Sequence, residues 1–279
     1  MNLFRQRLLR RAAWFFHGWV LLQWVSGVAL AGLPEKGVHS FASRLWQRED
    51  GLPHNAVQAV AQTPDGYLWV GTQDGLARFD GTEFEPVELP GTHPKRHWIN
   101  ALLAAPDGAL WIATGGDGIY EFQHGRFTRH SLSNRADATV LSLLRDAEGG
   151  VWAGTRGGTV RLQDGRVEHF PNSRALTVDT ARALALDDGG QIWVGVAGSL
   201  MQVTNGVVAA QFTEATGLPN RFIRVLCRDR EGNLWIGSNG GISRFREGRF
   251  EHFSKSDGLP DNNVTAIYED RRGQLWIGT

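Results

Sequence analysis

Apolar residues recur along this chain in short alternating runs, each preceded by a glycine turn and centred on a tryptophan. The clearest run is DREGNLWIGS, residues 229–238, and it is one of six versions of a single phrase. The others are TPDGYLWVGT, APDGALWIAT, DAEGGVWAGT, LDDGGQIWVGV and DRRGQLWIGT. Their tryptophans are Trp69, Trp111, Trp152, Trp193, Trp235 and Trp276, separated by 42, 41, 41, 42 and 41 residues. A glycine stands three places before each, and a small residue (Gly71, Ala113, Gly154, Gly195, Gly237 and Gly278) stands two places after. A period this regular indicates a repeat architecture and outranks any local signal.

Within each phrase the glycine closes a turn and the residues after it read as a strand. Side chains of a strand alternate between its faces. Leu68 and Val70 share one face, and Tyr67, Trp69 and Gly71 share the other. Both faces are apolar, so the strand must be covered on both sides. The small residue after each Trp is expected to leave room for the indole. Four short strands in a period near forty are the pattern of a β-propeller blade. Burying one indole removes roughly 150–250 Å² from water, on the order of 4–6 kcal/mol gross.

The strands are predicted at 57–62, 67–71, 76–79 and 83–88 in the first blade, and at 99–104, 109–113, 118–122 and 126–131 in the second. They follow at 139–144, 150–154, 159–163 and 166–170, then at 181–186, 191–195, 200–203 and 207–212. The fifth blade takes 222–228, 233–237, 242–246 and 249–253, and the sixth only 264–269 and 274–278. Hairpins between third and fourth strands are explicit at Asp80-Gly81, His124-Gly125, Asp164-Gly165, Asn205-Gly206 and Glu247-Gly248. The fold class expected is therefore all-β: a propeller of antiparallel four-stranded blades, about five and a half of them, in an open ring. The chain reads as a fragment of something longer. Residues 41–47 read as an outer strand with no blade of its own, because REDGLPHNAV (48–57) repeats in KSDGLPDNNV (255–264).

Ahead of the repeats the pattern changes. A basic start, MNLFRQRLLRR, leads into an apolar stretch from Ala12 to Leu30 broken only by His17, Gly18, Gln23, Ser26 and Gly27. It ends Ala29-Leu30-Ala31. That order reads as an apolar helix over residues 1–31, a signal peptide cleaved after Ala31 or a retained membrane anchor. Residues 32–40 form a linker and 41–279 the propeller. Everything after Gly32 is expected to be exported, to a bacterial periplasm or cell surface.

Composition adds two exclusions. Lys+Arg 29 balances Asp+Glu 29, but Arg5, Arg7, Arg10 and Arg11 lie in an opening segment with no acid, leaving 25 against 29, a net charge of −4. That argues against a nucleic-acid surface. The single cysteine, Cys227, excludes an intrachain disulfide and sits in an apolar strand, where an inert buried thiol is the expectation.

The combined pattern is GLPxN, an apolar strand, D-x-x-G-x-L-W-I-G-T, x-x-G-L-x-R-F and D-G-x-F. It resembles the two-component regulator propeller repeat over about residues 41–279, most clearly in the first, fifth and sixth units. The resemblance implies an exported sensor region of a membrane receptor, with a histidine kinase or diguanylate cyclase output beyond a transmembrane helix. No output signature occurs before Thr279. The alternatives are a periplasmic propeller enzyme of the lyase type and a structural interaction platform.

No catalytic motif, metal site or cofactor fingerprint stands out. His93 and His97 have a ligand-like spacing without partners, and read as loop residues. The acidic turns Asp187-Asp188, Asp229-Arg230-Glu231 and Glu269-Asp270 suit calcium on paper, yet recur where Asp favours turn geometry. The binding end follows from topology. Antiparallel strands place the GLPxN and GTxxG loops at one end of the propeller, and the PDG and DG turns at the other. The first set varies, in Arg96, His97, Trp98, Asn100, Asp137, Asp179, Arg182, Asn220 and Arg224 among others, and variable loops on a rigid scaffold carry binding. Near the axis at that end stand Asn55, Asn100, Thr139, Thr180, Arg221 and Asn262, a donor ring suited to a small polar or anionic ligand such as a glycan fragment. The alternative for each is that it caps its own turn. The other partners expected are a membrane, through the N-terminal segment or a later helix, and a second copy in a full-length receptor.

Overall fold

The structure, a computed structural model, describes residues 3–5, 44–91, 98–132, 138–170, 176 and 179–279. Five four-stranded antiparallel sheets follow one another in strict chain order, each an up-and-down meander. Blade 1 runs Val57–Gln62, Leu68–Thr72, Gly75–Phe79 and Phe84–Val87, and blade 5 runs Ile223–Arg228, Leu234–Ser238, Gly241–Arg246 and Arg249–Phe253. Blades 2, 3 and 4 open with Ile99–Ala104, Val140–Arg145 and Ala181–Leu186. A sixth sheet pairs Ala266–Glu269 with Leu275–Gly278, and Leu3–Arg5 lies antiparallel to the latter. First strands of successive blades contact one another, which sets them around a common axis with the fourth strands outermost. Of the expected N-terminal helix only Leu3–Arg5 lies within the described residues, and it is a strand.

The core lies between blades. Each of five apolar clusters joins one blade to the next, as Trp69 with Ile99, Ile112 and Tyr120, or Trp193 with Ile223, Leu226 and Ile236. This is why both faces of the second strands had to be apolar. The small residue after each Trp has a different task from the one expected. A Cβ added to Gly71 would lie 2.4 Å from Ile99 Cγ2, and one on Gly195 would lie 2.6 Å from Ile223 Cγ2. The glycine therefore makes room for the start of the next blade's first strand, rather than for the indole.

Among the described residues, the two outermost faces of the stack lack such a neighbour. Val60 in blade 1 is 55% exposed and Tyr268 in the sixth sheet 65%, whereas Leu184 and Leu226, in the register position of Val60, are each 8% exposed. Residues 44–47 form no strand, and 41–43 lie outside the described residues. The register expected for that segment is nonetheless visible in Trp46. It meets Phe79 and Phe84 edge-on at 5.0 and 5.4 Å, as Phe212 of blade 4 meets Phe245 and Phe250 of blade 5 at 5.0 and 5.6 Å.

Four hairpins have both central residues at positive φ, as His124 at 51° and Gly125 at 75°, the geometry that matches strand twist. The first hairpin differs. Asp80 Oδ1 accepts from Thr82 N at 2.7 Å and Glu83 N at 3.0 Å, and those bonds hold its carboxyl down at about 2.

Candidate functional site at the loop end of the propeller

The turn end uses its polar groups to close itself. The first residue of each turn is Asp146, Asp187, Asp229 or Asp270 in blades 3 to 6. One carboxylate oxygen accepts turn N–H groups, as Asp229 Oδ1 from Asn233 N at 2.7 Å. The other accepts the indole N–H six residues on: Trp152 to Asp146 at 2.9 Å, Trp193 to Asp187 at 3.3 Å, Trp235 to Asp229 at 2.7 Å and Trp276 to Asp270 at 3.1 Å. In blade 1 the acceptor is Thr63 Oγ1, 3.1 Å from Trp69 Nε1, and in blade 2 Ala105 stands there. A buried indole N–H needs an acceptor, and the D-x-x-G-x-x-W spacing supplies it. These carboxylates face N–H donors and are not assembled around a cation. Among the described residues no three His, Cys, Asp or Glu side chains converge as a metal site.

Neighbouring turns are also clasped. Arg145 reaches Asp107 of the previous blade at 3.4 Å, and Arg228 bonds Asp188, holding that carboxyl below its usual range. Burial pushes the Cys227 thiol up to about 11, so it is protonated and unreactive at neutral pH. A cleft of about 440 Å³ on the outer edge of blade 1 is lined by Tyr67, Arg78 and Glu85 among others, and its one arginine is paired within it. Arg78 bonds Glu85 at 2.6 Å and lies 4.4 Å from the Tyr67 ring centre.

The loop end is organised differently. The GLP phrases at 51–53, 217–219 and 258–260 follow one-turn 3₁₀ segments. Each glycine has φ near 100°, a conformation that other residues rarely adopt, and each leucine is buried, Leu218 and Leu259 between adjacent blades. Two of the expected ligand residues serve these turns. Asn55 Oδ1 accepts from Arg48 N at 2.9 Å, and Asn262 Oδ1 from Lys255 N at 2.8 Å. Three others bridge blades: Asn100 Nδ2 donates to Val140 O at 2.7 Å, Thr139 Oγ1 to Gly115 O at 3.3 Å, and Thr180 Oγ1 to Arg156 O at 3.3 Å. Arg221 stands in blade 5 where Asn55 and Asn262 stand in theirs. It forms no such turn bond and is exposed, its guanidinium 4.9 Å from the Phe222 ring centre. His93, Arg96, His97 and Asp137 lie outside the described residues.

Periodicity did not reveal a bulge at one position in the first strand of every complete blade. Pairing with the second strand slips between Val57 and Ala59, Ile99 and Ala101, Val140 and Ser142, Ala181 and Ala183, and Ile223 and Val225. The residues skipped are Gln58, Asn100, Leu141, Arg182 and Arg224. A bulge re-aims the side chain it carries. Arg182 is exposed between Ala181 and Ala183, which are 0% and 4% exposed. Arg224 is likewise exposed beside Ile223 at 2%. Both faces of these strands are covered by adjacent blades, so an exposed side chain leaves by the strand's free edge, toward the axis. The polar residue breaking each apolar run, A-R-A and I-R-V, was the available sequence signal. Trp98 and Phe222, each one residue before a first strand, are 51% and 49% exposed at the same end.

With this geometry established, similarity to known proteins adds a family match. Residues 51–74, 217–240 and 258–279 match the family described as two component regulator propeller. A comparison with curated proteins found no match in sequence. Among solved structures, the extracellular domain of a hybrid two component system from B. thetaiotaomicron superposes with a TM-score of 0.72 at 23% identity, over 83% of this chain and 32% of that one. The chain thus spans about a third of that domain's length. Virginiamycin B lyase from Staphylococcus aureus gives 0.65 at 16% identity, over 80% of this chain and 77% of that one. A gluconolactonase from Xanthomonas campestris gives 0.57 at 14%, over 80% and 85%. At these identities the likenesses establish the propeller fold and no function.

Proposed function

We propose that this chain is the exported, ligand-sensing propeller region of a membrane signalling receptor, standing on the periplasmic or outer side of the inner membrane. The observation that carries the reading is the family match, which falls in three separate blades at the expected period. The likeness in fold to an extracellular domain of a two component system is consistent with it. The receptor would hold its ligand, a small polar or anionic molecule such as a glycan fragment, at the loop end, and would pair as a homodimer in its full-length form.

The choice of end rests on the contrast just described. Turn-end carboxylates are occupied by their own turns, whereas Arg221, Trp98 and Phe222 leave polar and aromatic groups open at the loop end. Signalling output of the full-length protein in its native cell tests this. Asn100→Ala and Arg221→Ala, with export and folding verified, are expected to abolish the response. An unchanged response in both, with loss of response from substitutions in the turn at 229–233, would overturn the reading.

A further inference from the structure

We propose that the bulged first strands of blades 4 and 5 build an oxyanion site on the inner edge of the stack at its loop end, with Arg182 and Arg224 as its binding groups. The inference rests on the sensor reading for its biological purpose, but the site itself is argued from geometry. The two arginines occupy the same register position in adjacent first strands, each at the residue that the bulge leaves unpaired. The strands contact one another directly. Arg182 stands between the buried Ala181 and Ala183, and Arg224 between the buried Ile223 and the half-buried Val225, so both project from the inner edge of the stack.

Their charges are not consumed locally. Among the described residues, Arg78, Arg129, Arg145, Arg161, Arg228, Arg244 and Arg246 all form carboxylate ion pairs, and every one lies on an outer strand, a hairpin or the turn end. Arg182 and Arg224 have no such carboxylate among the described residues. Arg224 Nε donates to the Asn239 side-chain oxygen, which fixes the guanidinium while leaving its Nη donors open. Asn239 belongs to the loop between second and third strands of the same blade, so one loop braces the arginine supplied by another.

Two guanidinium forks on neighbouring strands offer parallel N–H donors matched to the oxygens of a carboxylate or phosphate. The bulge has a clear role here. Without it the residue after Ala181 or Ile223 would alternate onto a blade interface, where an unpaired charge is costly. Phe222, half-exposed beside Arg221, supplies an apolar face next to the charge. The ligand class is therefore a small molecule bearing an oxyanion on a ring or short apolar body.

Full-length protein titrated calorimetrically at constant ionic strength tests the site, with inorganic phosphate and digalacturonate as the two probes. Wild type is expected to bind at least one. Arg182→Gln and Arg224→Gln should each weaken that binding by roughly 10–100-fold, the loss of one charge-assisted contact. Arg145→Gln, at the turn end, should leave it unchanged. Phosphate binding alone assigns the site to tetrahedral oxyanions, and digalacturonate binding alone to sugar carboxylates. The site is overturned if wild type binds neither probe, or if both Gln variants bind as wild type does. Signalling lost in Arg182→Gln without probe binding by wild type would spare the sensor reading and reject the site. Probe binding with no effect on signalling would do the reverse.

Discussion

The two ends of the propeller differ in what their charged groups face. At the turn end, Asp146, Asp187, Asp229 and Asp270 each cap a turn and hold an indole, and Arg145 and Arg228 clasp the adjoining turn. At the loop end, Arg182, Arg221 and Arg224 stand exposed without a carboxylate among the described residues. The difference lies in the carboxylates of the turns. Among the described residues, Arg230 and Arg271 at the turn end are also exposed without a carboxylate ion pair, and Asp117 at the loop end pairs with Arg129. Only the turn end, however, commits an aspartate of each of blades 3 to 6 to its own turn and indole. A repeat protein can do this because its strands are antiparallel, so stereotyped turns and variable loops never share an end.

The contrast predicts a gradient of mutational effects. Trp152→Ala removes an indole that is 5% exposed, stacks on Phe170 at 4.9 Å and donates to Asp146. It should destabilise the protein by about 3–5 kcal/mol, read from denaturant midpoints. A shift no larger than that of a surface substitution would show that the blade register is wrong. Next comes Asp229→Ala, which strands the Trp235 N–H and the turn N–H of Asn233 in a nearly dry environment. The expected loss is about 1–3 kcal/mol in the same assay. If Asp229→Ala is neutral, the carboxylate is not the indole's partner in solution and the turn end is less closed than described. Arg182→Gln completes the gradient with a shift within about 0.5 kcal/mol. A large destabilisation there would mean that the arginine has a structural partner, and would erase the contrast between the ends.

How much of this the sequence disclosed depends on whether a feature repeats. The blades, their order and most strand limits followed from the tryptophan period, because a strand covered on both faces writes its burial into every residue. Val57–Gln62 and Val207–Phe212 match the expected limits in full, and most others agree within a residue or two. The partner of Gly71 and Gly195 was misjudged, since the sequence shows which residues share a strand face but not which neighbouring blade approaches it. The Asp-to-Trp bond was missed for a related reason. Asp favours turns on its own account, and only the folded turn brings Oδ2 of Asp229 within 2.7 Å of an indole six residues away. The bulge was hidden because it shifts the alternation by one residue in largely apolar strands, leaving a lone arginine as its trace in blades 4 and 5 and an apolar Leu141 in blade 3. Strand topology placed Asn55, Asn262, Asn100, Thr139 and Thr180 at the loop end, while their bonds to backbone groups emerged only from the structure.

Amide hydrogen exchange of the full-length protein, with and without digalacturonate and phosphate at constant ionic strength, tests the division between the ends most directly. Slowed exchange is expected in residues 179–183 and 220–225, with residues 146–150, 187–191 and 229–233 unchanged. Slowing confined to those three turns, or none at either end, would contradict that division.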